Sequence, residues 1–212
     1  MRALSAAVRW RTVTLVVCST ILATWCNGSA GPPPKTHEGQ FFHVASGFGW
    51  MSTSATDNGD DLDLHGLTFD GDLAIGSMLR QNFALHATFY GWFARDPNVK
   101  FLDESKRSNT DVVHGAAALG ATYYFMPANI FASARLGGGW MWQQRVFGGQ
   151  QNAAKSNFGF VGGVAVGKEW WTSDYWAIGI SGDFDFHVLP SADFDGTFKG
   201  GSFAIHFTAT HN

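Results

Sequence analysis

The sequence predicts an all-β fold, an eight-stranded antiparallel up-and-down transmembrane β-barrel, and three observations lead there. Only 15% of the 212 residues are charged, while 15% are aromatic and 26 are glycine. Soluble domains carry about one-quarter charged residues, yet a mean hydropathy of −0.04 is too low for a bundle of membrane helices. Eight segments alternate large apolar with small or polar residues at period two, the mark of strands with two unlike faces. The connectors between them alternate short and long, as in barrels with tight turns at one rim and larger loops at the other.

Residues 1–30 read as a secretory signal peptide and are set aside from the fold. Arg2, Arg9 and Arg11 form a positive start, Thr12 to Trp25 is mostly apolar but short of a membrane span, and Gly28-Ser29-Ala30 supplies small residues for cleavage. Cleavage there removes both cysteines, Cys18 and Cys26, and three of the 14 basic residues but none of the 17 acidic ones, moving the net charge from −3 to −6. An exported chain with no thiol has no disulfide and no cysteine-based metal or nucleophile site. Its acidic balance argues against nucleic acid as a partner. Residues 31–40 read as a short periplasmic segment, and residues 41–212 as the barrel domain.

The strands follow in order. Phe42, Val44, Phe48 and Trp50 oppose His43, Ala45, Gly47 and Gly49. Leu67, Phe69, Leu73, Ile75 and Leu79 oppose Thr68, Asp70, Asp72, Ala74 and Gly76. Phe83, Leu85, Ala87, Phe89 and Phe93 oppose Ala84, His86, Thr88, Tyr90 and Trp92. The fourth, the least regular, opposes Val113, Ala117, Leu119, Tyr123 and Phe125 to His114, Ala116, Gly120 and Thr122. The fifth sets Ile130, Ala132, Ala134, Leu136 and Trp140 against Phe131, Ser133, Arg135, Gly137 and Gly139. The sixth sets Phe158, Phe160, Val164, Val166 and Trp170 against Gly159, Val161, Gly163, Ala165, Gly167 and Glu169. The seventh sets Trp176, Ile178, Ile180, Phe184 and Phe186 against Ala177, Gly179, Ser181, Asp183, Asp185 and His187. The eighth sets Phe203, Ile205, Phe207 and Ala209 against Ser202, Ala204, His206 and Thr208.

Residues 80–82, 126–128 and 172–175 are tight turns, whereas 52–64, 95–110, 141–155 and 188–200 are long, polar connectors. The short turns then face the periplasm and the long loops the cell exterior. Aromatics are expected to form two interfacial girdles, Trp50, Trp92, Trp140 and Trp142 at the loop ends, and Tyr123, Tyr124, Trp170, Trp171, Tyr175 and Trp176 at the turn ends. Lys168 falls on the apolar parity near the periplasmic end, where its stem reaches toward the interface. A soluble barrel with an apolar inside is the competing architecture. Its exterior would be rich in Lys, Glu and Gln, but the polar parity here is mainly Gly, Ala, Ser and Thr, which suits a crowded lumen.

Gly-Ala-Thr-Tyr-Tyr-Phe (120–125) before Met-Pro-Ala-Asn, Gly-Lys-Glu-Trp-Trp (167–171) before Thr-Ser-Asp, and the closing Ser-Phe-Ala-Ile-His-Phe from Ser202 resemble the small outer-membrane β-barrel families of Gram-negative bacteria, the OmpA, OmpX and OmpW type. The likeness covers most of residues 41–211 and is architectural. It implies a location in the cell outer membrane, contact with outer-membrane lipid and lipopolysaccharide, and insertion by the barrel-assembly machinery. One departure is the C-terminus, where these families commonly end in Phe or Trp. The nearest aromatic of that parity here is Phe207.

The inward parity gathers Asp70, Asp72, Glu169, Asp183 and Asp185 against the single base Arg135. Buried charges need partners, so these residues are expected to form a structural ion-pair network centred on Arg135. His43, His86, His114, His187 and His206 share that parity but spread over the barrel's height. The best grouping is His114 and His187 with Asp185, and no metal site or cofactor is expected. His206 and Thr208 share a face, but no Gly-x-Ser-x-Gly elbow is present, and catalysis, such as lipid A modification, is not expected. Arg95, Lys100, Lys106, Arg107, Arg145 and Lys155 in the long loops suit lipopolysaccharide phosphates. Asp57, Asp60, Asp61 and Asp63 lack the spacing of a calcium loop. The expected role is structural or adhesive at the cell surface, as a monomer, with a narrow pore for small solutes as the alternative.

Overall fold

The computed structural model describes residues 36–57, 60–101, 104–107, 110–147, 150–193 and 195–211. The expected signal peptide lies outside them, as do the side chains of the loop residues Asp57, Asp60, Asp61, Lys100, Lys106, Arg107 and Arg145. The chain forms β1 (Gln40–Asp57), β2 (Asp60–Arg80), β3 (Phe83–Arg95), β4 (Asn98–Phe101), β5 (Glu104–Arg107), β6 (Thr110–Phe125), β7 (Ile130–Phe147), β8 (Gln150–Lys155), β9 (Gly159–Trp171), β10 (Trp176–Pro190) and β11 (Thr197–His211).

Eight of these make a closed wall. Neighbours pair antiparallel in the order β1, β11, β10, β9, β7, β6, β3, β2, and β2 returns to β1. Each wall strand therefore has a hydrogen-bonded partner on both sides, which is the condition for a sheet to sit in lipid without an open edge. The alternation read from the sequence sets which way each side chain points. Phe48, Phe69, Ile75, Phe89, Leu119, Leu136, Val166, Ile178, Phe203 and Phe207 are exposed on the outside, while Thr68, Asp72, Thr88, Ala116, Thr122, Arg135, Ala165, Ser181 and His206 are buried inside. An outer face this apolar, on a barrel whose inside carries the charge, is the arrangement of a transmembrane barrel and the reverse of a soluble one.

The long connectors differ from the expectation. They are not mainly irregular loops, because the ladders run on through them. β1 and β2 pair up to Asp57 and Asp60, β4 and β5 form a hairpin laid on β2, and β8 folds back on the end of β7. Inward alternation continues with the ladder, so that Met51, Thr53, Ala55, Leu64, Leu189 and Phe198 are buried beyond the stretch expected for the strands.

The girdles also need correction. Trp50, Trp140, Trp142, Tyr123, Trp170 and Tyr175 lie exposed on the outer face, and Trp176 is half-buried against His211. Trp92 and Tyr124, however, are buried inside, and Trp171 is half-buried against His37. Each sits one residue from an outward neighbour, and the period-two pleat outranks position along the strand. At the turn rim, the Lys168 ammonium reaches the Ala128 carbonyl and lies 5.6 Å from the Trp170 ring centre.

Candidate functional site

The inside of the barrel is built in layers, and Arg135 occupies the middle one. In register, it lies between Gly120 on β6 and Gly163 on β9. Neither flank has a side chain, so the guanidinium has room to extend across the lumen. The close fit is measurable at Gly163, where an added Cβ would stand 2.0 Å from Asp185 Oδ1 and 3.0 Å from Arg135 Nε.

Arg135 Nε donates to Asp185 Oδ1 at 3.1 Å, and Nη2 donates to both oxygens of the same carboxylate at 2.8 and 3.0 Å. Nη1 donates to Asp72 Oδ2, and Asp183 Oδ1 stands 3.7 Å from Nη2. The guanidinium carbon lies 4.0 Å from the centre of the Tyr90 ring, a cation–π contact. With the side chain only 7% exposed, these contacts replace hydration, and the forked pairing with Asp185 is the strong geometry for an arginine.

Asp183 links this hub to β11: Ser181 Oγ donates to its Oδ2 at 2.6 Å, and His206 Nδ1 lies 3.1 Å from the same oxygen. The structure thus brings Asp72, Asp183 and Asp185 to Arg135. It does not bring Asp70 or Glu169. Asp70 accepts a bond from Thr68 Oγ1 at 2.6 Å. Glu169 sits nearer the turn rim, accepting from Thr208 and Thr210 Oγ1 at 3.1 and 2.6 Å with His43 Nδ1 at 3.7 Å. Hydroxyls engage these two acids before Arg135 can, Thr68 from the same strand as Asp70, and Thr208 and Thr210 from β11, across β10 from the β9 of Glu169. The same pairing separates His206 from Thr208, which engage different carboxylates.

Below the hub, His86 bonds Thr88 and Thr122 at 2.7 and 2.9 Å, and Thr122 Oγ1 donates to Ser133 at 3.0 Å. A cavity of about 20 Å³ bounded by Arg135, Asp72, Asp183, His43, His86 and Phe131 lies between these layers, room for one water molecule.

The turn rim is closed by a piece of chain that no periodic signal marks. Thr36 to Gly39 belong to the expected periplasmic segment, yet His37 is fully buried in the mouth. Its ring stacks 3.7 Å from Tyr124 and bonds Asn129 Oδ1 at 2.7 Å, while its backbone N–H donates to Asn82 Oδ1 at 2.9 Å and its carbonyl accepts from the Asn82 N–H at 3.0 Å. Asn82 and Asn129 hold positive φ angles of 64° and 51° in their turns, a conformation asparagine tolerates.

At the loop rim, Trp92 stacks on His114 with ring centres 5.2 Å apart, and His187 lies 5.4 Å from His114. Asp185 does not join them, because its carboxylate is taken by Arg135. Among the described residues, no three His, Asp or Glu side chains are grouped to hold a metal.

No family model and no curated protein matches the chain. Solved structures do resemble it in shape. Neisserial surface protein A aligns over 81% of this chain and 96% of its own at 9% identity, with a TM-score of 0.49. Ail, the attachment invasion locus protein of Yersinia pestis, aligns over 81% and 99% at 12% identity, TM-score 0.46. The outer membrane protease OmpT of Escherichia coli aligns over 85% and 99% at 8% identity, TM-score 0.46. Their names span different roles, so the likeness concerns shape and conveys no activity. The class defined by the closed wall and its outward apolar face is that of the small outer-membrane β-barrel proteins, which this chain resembles.

Proposed function

We propose that the protein is a sealed structural barrel of the outer membrane that acts through its outer hairpins, in a surface-interaction role without catalysis. The observation that carries this reading is the combination of a filled lumen and a wall prolonged beyond it. From His37 through Phe41 and Phe131, the Arg135 hub, and up to Trp92, Met141 and Met51, inward side chains occupy the barrel. The chain's extra strands, β4, β5 and β8, lie at the loop rim. Material is invested in the outward-facing sheet, and little room is left for passage.

Arg95 and Lys155 are exposed at that rim and suit the phosphates of lipopolysaccharide. We expect a monomer, delivered after signal cleavage and inserted by the barrel-assembly machinery. Single-channel recording in a planar bilayer tests the reading. A silent barrel that binds lipopolysaccharide-bearing vesicles supports it, and a steady open conductance overturns it in favour of the narrow pore. The excess of buried acids over Arg135 supports that second reading to the extent that any current should be cation-selective.

A further inference from the structure

We infer that the outer end of the lumen holds a binding site for one soft monovalent metal ion, copper(I) or silver(I), made by His114, His187 and Met141. The wall places the donors. Trp92, His114 and Met141 are successive partners across β3, β6 and β7, all buried inside. Directly opposed residues have Cβ atoms about 5 Å apart, so the inward side chains of Met141 and His114 start side by side on the wall. His187 approaches from β10 and brings its ring centre to 5.4 Å from that of His114, the planes tilted by 35°. With metal–nitrogen bonds of about 2 Å, two imidazoles sharing one ion have ring centres about 5 to 6 Å apart.

The two rings differ in bonding. His187 Nε2 is 2.9 Å from Thr53 Oγ1, an outer contact of the kind that fixes a ligating histidine and directs its other nitrogen inward. His114 is 4% exposed and neither of its ring nitrogens has a hydrogen-bond partner. Buried polar groups of native proteins are nearly always satisfied, so a ring with two unused nitrogens, stacked on Trp92 and facing a second imidazole, points to a ligand.

The donor set selects the ion. Calcium and magnesium require oxygen ligands, and the inward carboxylate two residues before His187, Asp185, is held by Arg135. Two imidazoles and a thioether, with no anionic ligand, favour a soft ion of low charge over zinc(II).

The test titrates the refolded full barrel in detergent with silver(I) nitrate in chloride-free buffer, by calorimetry, with zinc(II) in parallel. Copper(I) is followed by competition with a chromophoric chelator. The expected result is one equivalent of silver(I) bound at least about 100-fold more tightly than zinc(II). His114→Phe and His187→Phe should each weaken silver(I) about 100-fold, and Met141→Leu about 10-fold with zinc(II) binding unchanged. X-ray absorption of the copper(I) form should give one sulfur and two nitrogen neighbours. Should a histidine variant fail to refold, Met141→Leu, close to volume-conserving, decides alone. Silver(I) binding that is equal in the parent and Met141→Leu, or no tighter than zinc(II), overturns the proposal.

Discussion

Replacing Arg135 by alanine should be among the most damaging single changes to this barrel. The guanidinium makes three hydrogen bonds to Asp185 and one to Asp72, with Asp183 at 3.7 Å. Truncation leaves three buried carboxylates facing one another without a cation. Breaking a buried pair by deleting one partner costs about 3–5 kcal/mol, most of it the penalty of the charge left behind. At about 1.4 kcal/mol per decade, that is a loss of more than 100-fold in the folding equilibrium. The assay is reversible urea unfolding in lipid vesicles, followed by tryptophan fluorescence and by the shift of the folded band on unheated gels. A triple change, Arg135→Met with Asp72→Asn and Asp185→Asn, should recover much of the loss, since removing a buried ion set whole is far cheaper than breaking it. A midpoint for Arg135→Ala equal to that of the parent would refute the reasoning, as would a triple variant less stable than the single one.

Three further outcomes are expected. Gly163→Ala pushes a methyl group into Asp185 Oδ1 and should cost about 1–3 kcal/mol; in an Arg135→Ala background most of that cost should vanish, and simple additivity in the double-mutant cycle would count against the hub. His37→Ala should destabilise by about 2 kcal/mol through the lost stack and hydrogen bond and make the segment before Gln40 cleavable by added protease, whereas an unchanged digest would show that the mouth is not held by this residue. Leu119→Arg, at a site 76% exposed on the outer face, should cost about 2–4 kcal/mol in vesicles if that face meets the bilayer interior, and stability equal to the parent would place it in water.

The strands and their two faces were legible because period two is written into adjacent residues. Arg135 stood out in the same way, as the one base on the inward parity. Which acids it selects was not legible, since that depends on how far each strand slides against strands remote in sequence; Asp72 is 63 residues away. Glu169 shares the parity but meets Thr208 and Thr210 first. Trp92 and Tyr124 show a different failure: their place near strand ends suggested interfacial anchors, although their parity already pointed inward. The long connectors carry Gly, Asp, Asn and Ser, which weaken strand propensity, yet pairing with an already ordered neighbour extends the ladder through them. His37 had no pattern around it, and only tertiary contact reveals where it goes.

The three carboxylates around Arg135 come from β2 near the start of the wall and from β10 near its end, on either side of β7. Nothing nearby in the chain can neutralise the arginine, because Asp185 lies 50 residues downstream and Asp72 lies 63 residues upstream. A partly assembled wall must keep that charge in contact with water, and the lumen can lose its water only when the late strands arrive. Closure of the wall and neutralisation of its centre are therefore a single late event, so the hub should slow unfolding more than it speeds assembly.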